Sequence, residues 1–221
     1  GKVLVDDSLS HLKATAKAAA GDESPAAPAA SPDPVADAAE RAVRGELAFE
    51  LAGPRDRVFF DPRTVRAAIV TCGGLCPGLN NVVRGIVLEL VQGYGVRQVL
   101  GYRFGYEGLI SRFGHLPLQM TPDSVAHIHH EGGTVLGSSR GEQDPAEVVD
   151  NLEANGIGML FVVGGDGTMR GAMRIAAEVR RRGVKIAVVG VPKTIDNDIP
   201  FIDRSFGFVS AYSAAVDVIR A

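Results

Sequence analysis

Two glycine-rich segments each follow a short apolar run, and their residue types suit the chemistry of phosphates. Residues 72–80, CGGLCPGLN, follow the run 67–70, and their glycines would let backbone amides approach an anion at a helix N-terminus. Residues 164–168, GGDGT, follow the run 159–163 and combine bare backbone with one carboxylate. We expect Asp166 to contact a Mg²⁺ ion that accompanies nucleotide phosphates, directly or through water. The alternatives are a tight turn in the first segment and a helix cap in the second.

A third segment, residues 193–198, has the sequence KTIDND and follows the apolar run 186–189. Its cation, hydroxyl and two carboxylates are costly to place at the end of such a run unless they have a task. Asp196 is suited to accept a proton from a substrate hydroxyl. Asp198 is suited to orient it or to help hold the metal, and Lys193 to offset charge. The alternative is a polar surface turn.

A fourth segment, residues 132–141, consists mainly of small residues, GGTVLGSSRG, and includes one arginine. A guanidinium forms strong, directional hydrogen bonds to phosphate oxygens. We therefore expect Arg140 to help neutralise a transferring phosphate.

The elements that must position these segments are predicted from apolar periodicity. Strands are expected at 67–70, 96–100, 159–163 and 186–189, and helices at 79–90, 145–152, 169–180 and 209–219. This alternation predicts an α/β fold with a mostly parallel sheet and helices on both faces. Ligands of such sheets lie beyond the carboxyl ends of the strands, so the segments should meet at one edge.

The composition excludes several classes of protein. The chain has 221 residues, 46% of them hydrophobic and 22% charged, which excludes a fibre, a coiled coil and a wholly disordered chain. The net charge of −3 provides no excess of cations for a nucleic acid, and no apolar run is long enough to span a membrane. The two cysteines, Cys72 and Cys76, are predicted to be small packing residues rather than a disulfide or a zinc site.

The beginning of the chain differs in composition from the rest. Residues 21–36 are dense in Pro, Ala, Ser and Asp, and such a segment cannot bury enough apolar surface to offset the entropy of ordering. We therefore predict a flexible N-terminal extension with a Pro/Ala-rich linker over residues 1–52, and a folded domain over 53–221.

Taken in order, the motifs GGLCPGLN, GYEGL, GGTVLGSSR, GGDGT and PKTIDND resemble those of the 6-phosphofructokinase family. GGDGT by itself also resembles the nucleotide loop of NAD kinases and diacylglycerol kinases, whereas PKTIDND at this distance after it is specific. The upstream segment GPRDRVFFDP is similar to the longer ATP-dependent forms of plants and trypanosomatids.

The resemblance implies a phosphofructokinase-like, nucleotide-binding half whose domain is incomplete at its C-terminus. It implies Mg²⁺ as cofactor, ATP and fructose 6-phosphate as partners, and a homo-oligomer in the full-length protein. The cysteine usage favours a reducing, cytoplasmic location, with an organelle as the alternative. The residues implied on the nucleotide side are Gly73, Tyr106, Arg140, Gly165, Asp166, Gly167, Thr168 and Gly171, of which Asp166 serves the metal. Those implied at the catalytic centre are Asp196, the base that acts on the sugar 1-hydroxyl, with Thr194, Asp198 and Lys193 beside it.

Two positions bear on the phosphoryl donor. Lys193 is similar to the pyrophosphate-using branch of the family, and Gly167 is similar to the ATP-using branch. A carboxylate side chain in place of Gly167 would occlude and repel the α-phosphate of a nucleotide, so we expect ATP to be the donor. The alternatives are a pyrophosphate-dependent phosphofructokinase and a noncatalytic family member that only binds nucleotide.

Overall fold

The computed structural model of the chain describes residues 57–199 and 202–220. The strands are β1 (Arg66–Thr71), β2 (Gln98–Gly101), β3 (Leu118–Met120), β4 (Ile157–Gly164) and β5 (Ala187–Pro192). The α-helices are α1 (Leu79–Leu88), α2 (Pro145–Ala154), α3 (Asp166–Arg182) and α4 (Phe208–Arg220). Short helical turns cover Glu89–Gly93, Gly105–Leu109, Ser111–Phe113 and Ile128–His130. The predicted extension over 1–52 and its boundary at residue 53 lie outside the described residues.

The five strands form one sheet in the order β3-β2-β1-β4-β5. β1 pairs in parallel with β2 and with β4, and β4 pairs in parallel with β5, whereas β3 runs antiparallel to β2. The predicted mostly parallel sheet is confirmed. The sequence did not indicate β3, because an element of three residues is too short to show periodicity.

The central strand β1 has both faces buried. Ala68 and Val70 belong to a core formed with α2 and α3, while Ala67 and Ile69 belong to a second core formed with α1. All four side chains have no exposed surface, because successive residues of a strand point to opposite faces and both faces are covered. The prediction of helices on both faces of the sheet is therefore confirmed.

Helices α2 and α3 are joined at the surface by a network of charged side chains around Arg182. The guanidinium of Arg182 contacts Asp150 at 2.5 Å and Glu153 at 3.1 Å on α2, and Glu178 at 2.6 Å on its own helix. Arg181 also contacts Glu178, at 2.7 Å. These bonds hold the C-terminal end of α3 against α2.

Helix α4 differs from α1, α2 and α3, because none of its residues is buried among the residues that the structure describes. Strand β5 forms one edge of the sheet, and its Val189 is 40% exposed. None of the helices in the described residues is long and apolar enough to cross a membrane.

Candidate active site

A cavity of about 330 Å³ lies beyond the carboxyl ends of β1, β4 and β5. Its walls come from the loop after β1, the turn after β2, the loop before α2, the first turn of α3 and the first residue after β5. They are formed by Cys72, Gly73, Gly74, Tyr106, Ser139, Arg140, Gly141, Glu142, Gly165, Asp166, Gly167, Thr168 and Lys193. The predicted convergence of separate segments at this edge is thus present.

Hydrogen bonds hold segment 132–141 against the end of β1. The hydroxyl of Thr71 donates to the carbonyl oxygen of Gly137 at 2.7 Å, and the amide of Gly73 donates to the carbonyl oxygen of Ser139 at 3.1 Å. The φ angle of Gly73 is +79°, in the left-handed region that favours glycine. Since Arg140 follows Ser139 directly, these bonds place the guanidinium-bearing residue at the cavity wall.

Tyr106 joins the turn Gly105–Leu109 to the first turn of α3. Its hydroxyl donates a hydrogen bond of 2.6 Å to the carbonyl oxygen of Thr168, and its ring is 6% exposed. Burial raises the pKa of Tyr106, so the phenol stays protonated and acts as a donor. A Cβ atom at Gly171 would lie 2.7 Å from Cε2 of this ring, so only glycine fits there.

Asp166 is the first residue of α3, directly after Gly165. A carboxylate there is favoured by the helix macrodipole, and here it also lines the cavity with an exposed side chain. Within the described residues, no group of three or more His, Cys, Asp or Glu side chains could hold a metal ion. Mg²⁺ is usually bound by one or two carboxylates together with substrate phosphates and water, so Asp166 fits an ion that arrives with a nucleotide.

Lys193 is the buried cation of the cavity. It is 8% exposed, and its backbone amide donates to the carbonyl oxygen of Gly164 at 2.9 Å, which extends the pairing of β4 with β5. Burial raises the pKa of Cys72 to about 12, and the positive charge of Lys193 opposes this shift only in part. The cavity therefore presents a cation and a protonated, neutral thiol.

The remaining residues of segment 193–198 form a turn braced by its own side chains. The amide of Asp196 donates to Oγ1 of Thr194 at 3.0 Å, and the same hydroxyl makes a short hydrogen bond to Asp198. Asn197 stands between the two carboxylates with a φ angle of +58°, and its Oδ1 accepts from the amide of Ser205 at 2.7 Å. The turn thus carries Asp196 on an exposed, internally bonded loop.

The structure brings most of the predicted site residues together but not all of them. Those lining the cavity are Gly73, Tyr106, Arg140, Gly165, Asp166, Gly167, Thr168 and Lys193. Gly171 lies in a small adjoining cavity that also has Tyr106 and Gly167 in its wall. Thr194, Asp196 and Asp198 are not part of either lining. Their position beside the cavity follows from Lys193, which is the residue before Thr194.

Sequence reasoning missed an ion pair at the end of the cavity. Glu142 contacts Arg174 at 2.7 Å, and both residues line the small adjoining cavity. The pair holds the pKa of Glu142 below its usual range. The sequence carries no local signal for this pair, because its two residues are 32 positions apart.

Comparison with known proteins identifies the family to which this arrangement belongs. Residues 66–221 match the family described as Phosphofructokinase. The chain is 53% identical over 175 residues to the ATP-dependent 6-phosphofructokinase of Trypanosoma cruzi, covering 79% of this chain and 36% of that relative. It is 54% identical over 173 residues to the ATP-dependent 6-phosphofructokinase of Amycolatopsis methanolica, covering 78% and 38%. For ATP-dependent 6-phosphofructokinase 7 of Arabidopsis thaliana the identity is 50% over 173 residues, covering 78% and 35%.

Solved structures agree with this assignment. Pichia pastoris phosphofructokinase in the T-state matches with a TM-score of 0.61 and 25% identity, covering 77% of this chain and 21% of that one. The pyrophosphate-dependent phosphofructokinase from Marinobacter aquaeolei has a TM-score of 0.59 at 24% identity, covering 70% and 42%, a likeness of fold alone. The chain spans less than two-fifths of the length of the curated relatives above. The chain belongs to the phosphofructokinase family.

Proposed function

We propose that the protein containing this chain is an ATP-dependent 6-phosphofructokinase, which transfers the γ-phosphate of ATP to the 1-hydroxyl of fructose 6-phosphate. The observation that carries the proposal is the cavity in which the glycine-rich backbone, Asp166, Arg140 and the buried Lys193 meet. Such a cavity suits a polyphosphate. The names of the curated relatives supply the reaction and the sugar.

On this proposal, the nucleotide side works mainly by positioning and by offsetting charge, which dominate phosphoryl transfer. Asp166 holds Mg²⁺, which when bound neutralises charge on the phosphate oxygens. The backbone at Gly73 lies against the terminal phosphate, while Arg140 and Lys193 offset its negative charge. Tyr106 holds the first turn of α3 through Thr168, so the backbone around Gly167 keeps its place against the nucleotide.

On the acceptor side, Asp196 takes the proton of the sugar 1-hydroxyl as the oxygen attacks the γ-phosphorus of ATP, while the bond from that phosphorus to the β–γ bridging oxygen breaks and ADP leaves. Its backbone amide is fixed by the hydroxyl of Thr194, and Asp198 orients that hydroxyl from the other side. This arrangement leaves the carboxylate of Asp196 exposed and open to a substrate.

Two observations favour ATP over pyrophosphate as the donor. A Cβ atom placed on Gly167 would lie 3.9 Å from its nearest neighbour, Nη2 of Arg170. The space beside Gly167 is therefore open and could hold part of a nucleotide. The three curated relatives described above, which are 50–54% identical to this chain, are named as ATP-dependent. Lys193 supports charge neutralisation with either donor and does not decide between them.

The proposal is tested by a coupled assay on the complete protein, with fructose 6-phosphate as acceptor and ATP or pyrophosphate as donor, with and without Mg²⁺. We expect turnover with ATP that requires Mg²⁺. Turnover with pyrophosphate alone would replace the donor assignment with the alternative. Nucleotide binding without any transfer to the sugar would indicate a noncatalytic family member.

A further inference from the structure

We propose that Cys76 is a positioning residue that couples the phosphate loop, residues 72–78, to the acceptor loop, residues 193–198. It belongs to neither cavity lining described above, and it acts through the segment that follows the acceptor loop. The kinetic part of this inference rests on the proposed function, because it supposes that Asp196 must meet the phosphate held by the phosphate loop.

The thiol of Cys76 lies among carbonyl oxygens from three different stretches of chain. Its Sγ atom is 3.1 Å from the carbonyl oxygen of Phe206, 3.3 Å from that of Pro77 and 3.8 Å from that of Thr194. The residue is 3% exposed. A thiol has a single hydrogen to donate, and Phe206 offers the nearest acceptor. The bond therefore runs from the phosphate loop to the segment beyond the acceptor loop.

That segment is itself bonded to the acceptor loop. The amide of Ser205 donates to Oδ1 of Asn197 at 2.7 Å, and Nδ2 of Asn197 donates to the carbonyl oxygen of Asp203 at 3.1 Å. The hydroxyl of Ser205 is also 3.4 Å from the carbonyl oxygen of Thr194. A displacement of Phe206 would thus reach Asn197, the neighbour of Asp196, through a continuous set of contacts.

Close packing at Gly207 strengthens the same junction. A Cβ atom on Gly207 would lie 2.2 Å from the carbonyl oxygen of Pro77 and 2.3 Å from Sγ of Cys76. The φ angle of Gly207 is +85°, so a larger residue is disfavoured by backbone conformation as well. The two segments therefore touch with no space for even a methyl group between them.

The protonation state of Cys76 suits this task. Burial raises the pKa of its thiol, and the charge of Lys193 opposes that shift. At neutral pH the side chain therefore carries the hydrogen that a carbonyl oxygen requires. An ionised thiolate would repel the same carbonyl oxygens and could not make the bond.

The test compares Cys76→Ala with Cys76→Ser in the complete protein, because the two variants differ by a single hydroxyl that can replace the thiol as donor. Val149→Ala serves as the control, since it opens a cavity in the core at a buried position on α2, which belongs to neither loop. Steady-state kinetics give kcat and the KM for ATP, and hydrogen–deuterium exchange reports on the peptide that contains residues 193–198.

For Cys76→Ala we expect kcat to fall about tenfold with the KM for ATP within about twofold, as for the loss of one hydrogen bond that matters in the transition state. Exchange in the acceptor loop should rise in the same variant. Cys76→Ser should recover at least half of the parental kcat, and Val149→Ala should leave kcat and acceptor-loop exchange unchanged. Cys76→Val, which fills the space but cannot donate, replaces Cys76→Ala if that variant does not fold.

The proposal is overturned if kcat and acceptor-loop exchange of Cys76→Ala both stay within about twofold of the parent, or if Val149→Ala changes them equally. Equal losses of kcat in Cys76→Ser and Cys76→Ala would also overturn it, because a hydrogen-bond donor at position 76 would then make no difference. Hydrogen exchange needs no turnover. A parent that does not phosphorylate fructose 6-phosphate would therefore defeat the proposed function, while exchange would still decide whether Cys76 couples the two loops.

Discussion

The hydroxyl of Tyr106 donates a 2.6 Å hydrogen bond to the main-chain carbonyl oxygen of Thr168, and so ties the turn after β2 to the helix that carries Asp166. Both residues are buried, and the ring lies against the backbone of Gly171. The position of the first turn of α3 is therefore set by an aromatic side chain on a different segment.

Tyr106→Phe should remove this bond and leave the ring in place. We expect it to cost about 1 kcal/mol of unfolding free energy, typical of one neutral hydrogen bond, and to raise the KM for ATP severalfold. Gly171→Ala should lower the free energy of unfolding and raise the KM for ATP by more than Tyr106→Phe does, because its methyl group would collide with the ring of Tyr106. Urea unfolding and steady-state kinetics measure the two effects. A Tyr106→Phe variant as stable as the parent would show that the bond contributes nothing.

Asp196→Asn should abolish most turnover and leave nucleotide binding nearly unchanged, because an amide cannot accept the sugar proton. General base catalysis typically contributes about 10²–10⁴-fold, so kcat should fall within that range. Steady-state kinetics and a direct measurement of ATP affinity in the full-length protein separate the two effects. If kcat stayed within about threefold of the parent, Asp196 would not be the base.

Gly167→Asp should shift the donor preference from ATP towards pyrophosphate. The added side chain has room in the free chain, so folding should be little affected, but its charge would repel the α-phosphate of a nucleotide. The measurement is kcat/KM for each donor in parent and variant, with Gly167→Ala as the uncharged control. An unchanged ratio of the two donors would contradict the role given to Gly167.

Cys72 should resist alkylation in the folded protein, although it stands in the wall of the cavity. Its side chain is 5% exposed, and burial raises its pKa to about 12, so at pH 8 the thiol stays protonated. Iodoacetamide treatment followed by peptide mass spectrometry should show labelling of Cys72 only after urea is added. Complete labelling of Cys72 within minutes in native buffer would contradict the prediction that this thiol is unreactive in the folded protein.

The charged contacts at the end of α3 should make the fold sensitive to acid. Hydrogen bonds from Arg181 and Arg182 lower the pKa of Glu178 from 4.5 to about 2. A folded-state pKa below the unfolded value means that the contribution to stability is present above about pH 4.5 and is lost as the pH falls towards 2.

The test is Glu178→Gln, whose urea midpoint should lie below that of the parent at pH 7 and approach it at pH 3. The exposed Asp123→Asn, which removes a carboxylate elsewhere on the surface, should show no such convergence. A gap between Glu178→Gln and the parent that stays constant with pH would mean that ionisation of Glu178 is not its source.

Parts of this structure were predictable from the sequence, because they follow from local pattern. Apolar runs at β1, β4 and β5, each followed by a polar or glycine-rich segment, predict the parallel sheet and the edge at which the segments meet. The pairing of Glu142 with Arg174 was not predictable, since it depends on how the loop before α2 lies over α3.

The positions of Thr194, Asp196 and Asp198 relative to the cavity were also not predictable from the sequence. Thr194, Asp196 and Asp198 lie outside the cavity lining, and the left-handed backbone at Asn197 between them is stabilised by contacts with residues further along the chain. A run of polar residues specifies their chemistry but not the direction of the turn.

The cavity draws its walls from segments that are far apart in the chain, since Gly73, Arg140 and Lys193 come together only when the sheet is assembled. A molecule that fills the cavity therefore binds the folded state and not the unfolded chain. By mass action, a ligand at about 100 times its Kd would add about 2.7 kcal/mol to the free energy of unfolding. On the function proposed above, in which that ligand is ATP, the supply of ATP would govern how long the protein survives proteolysis as well as the rate of phosphoryl transfer.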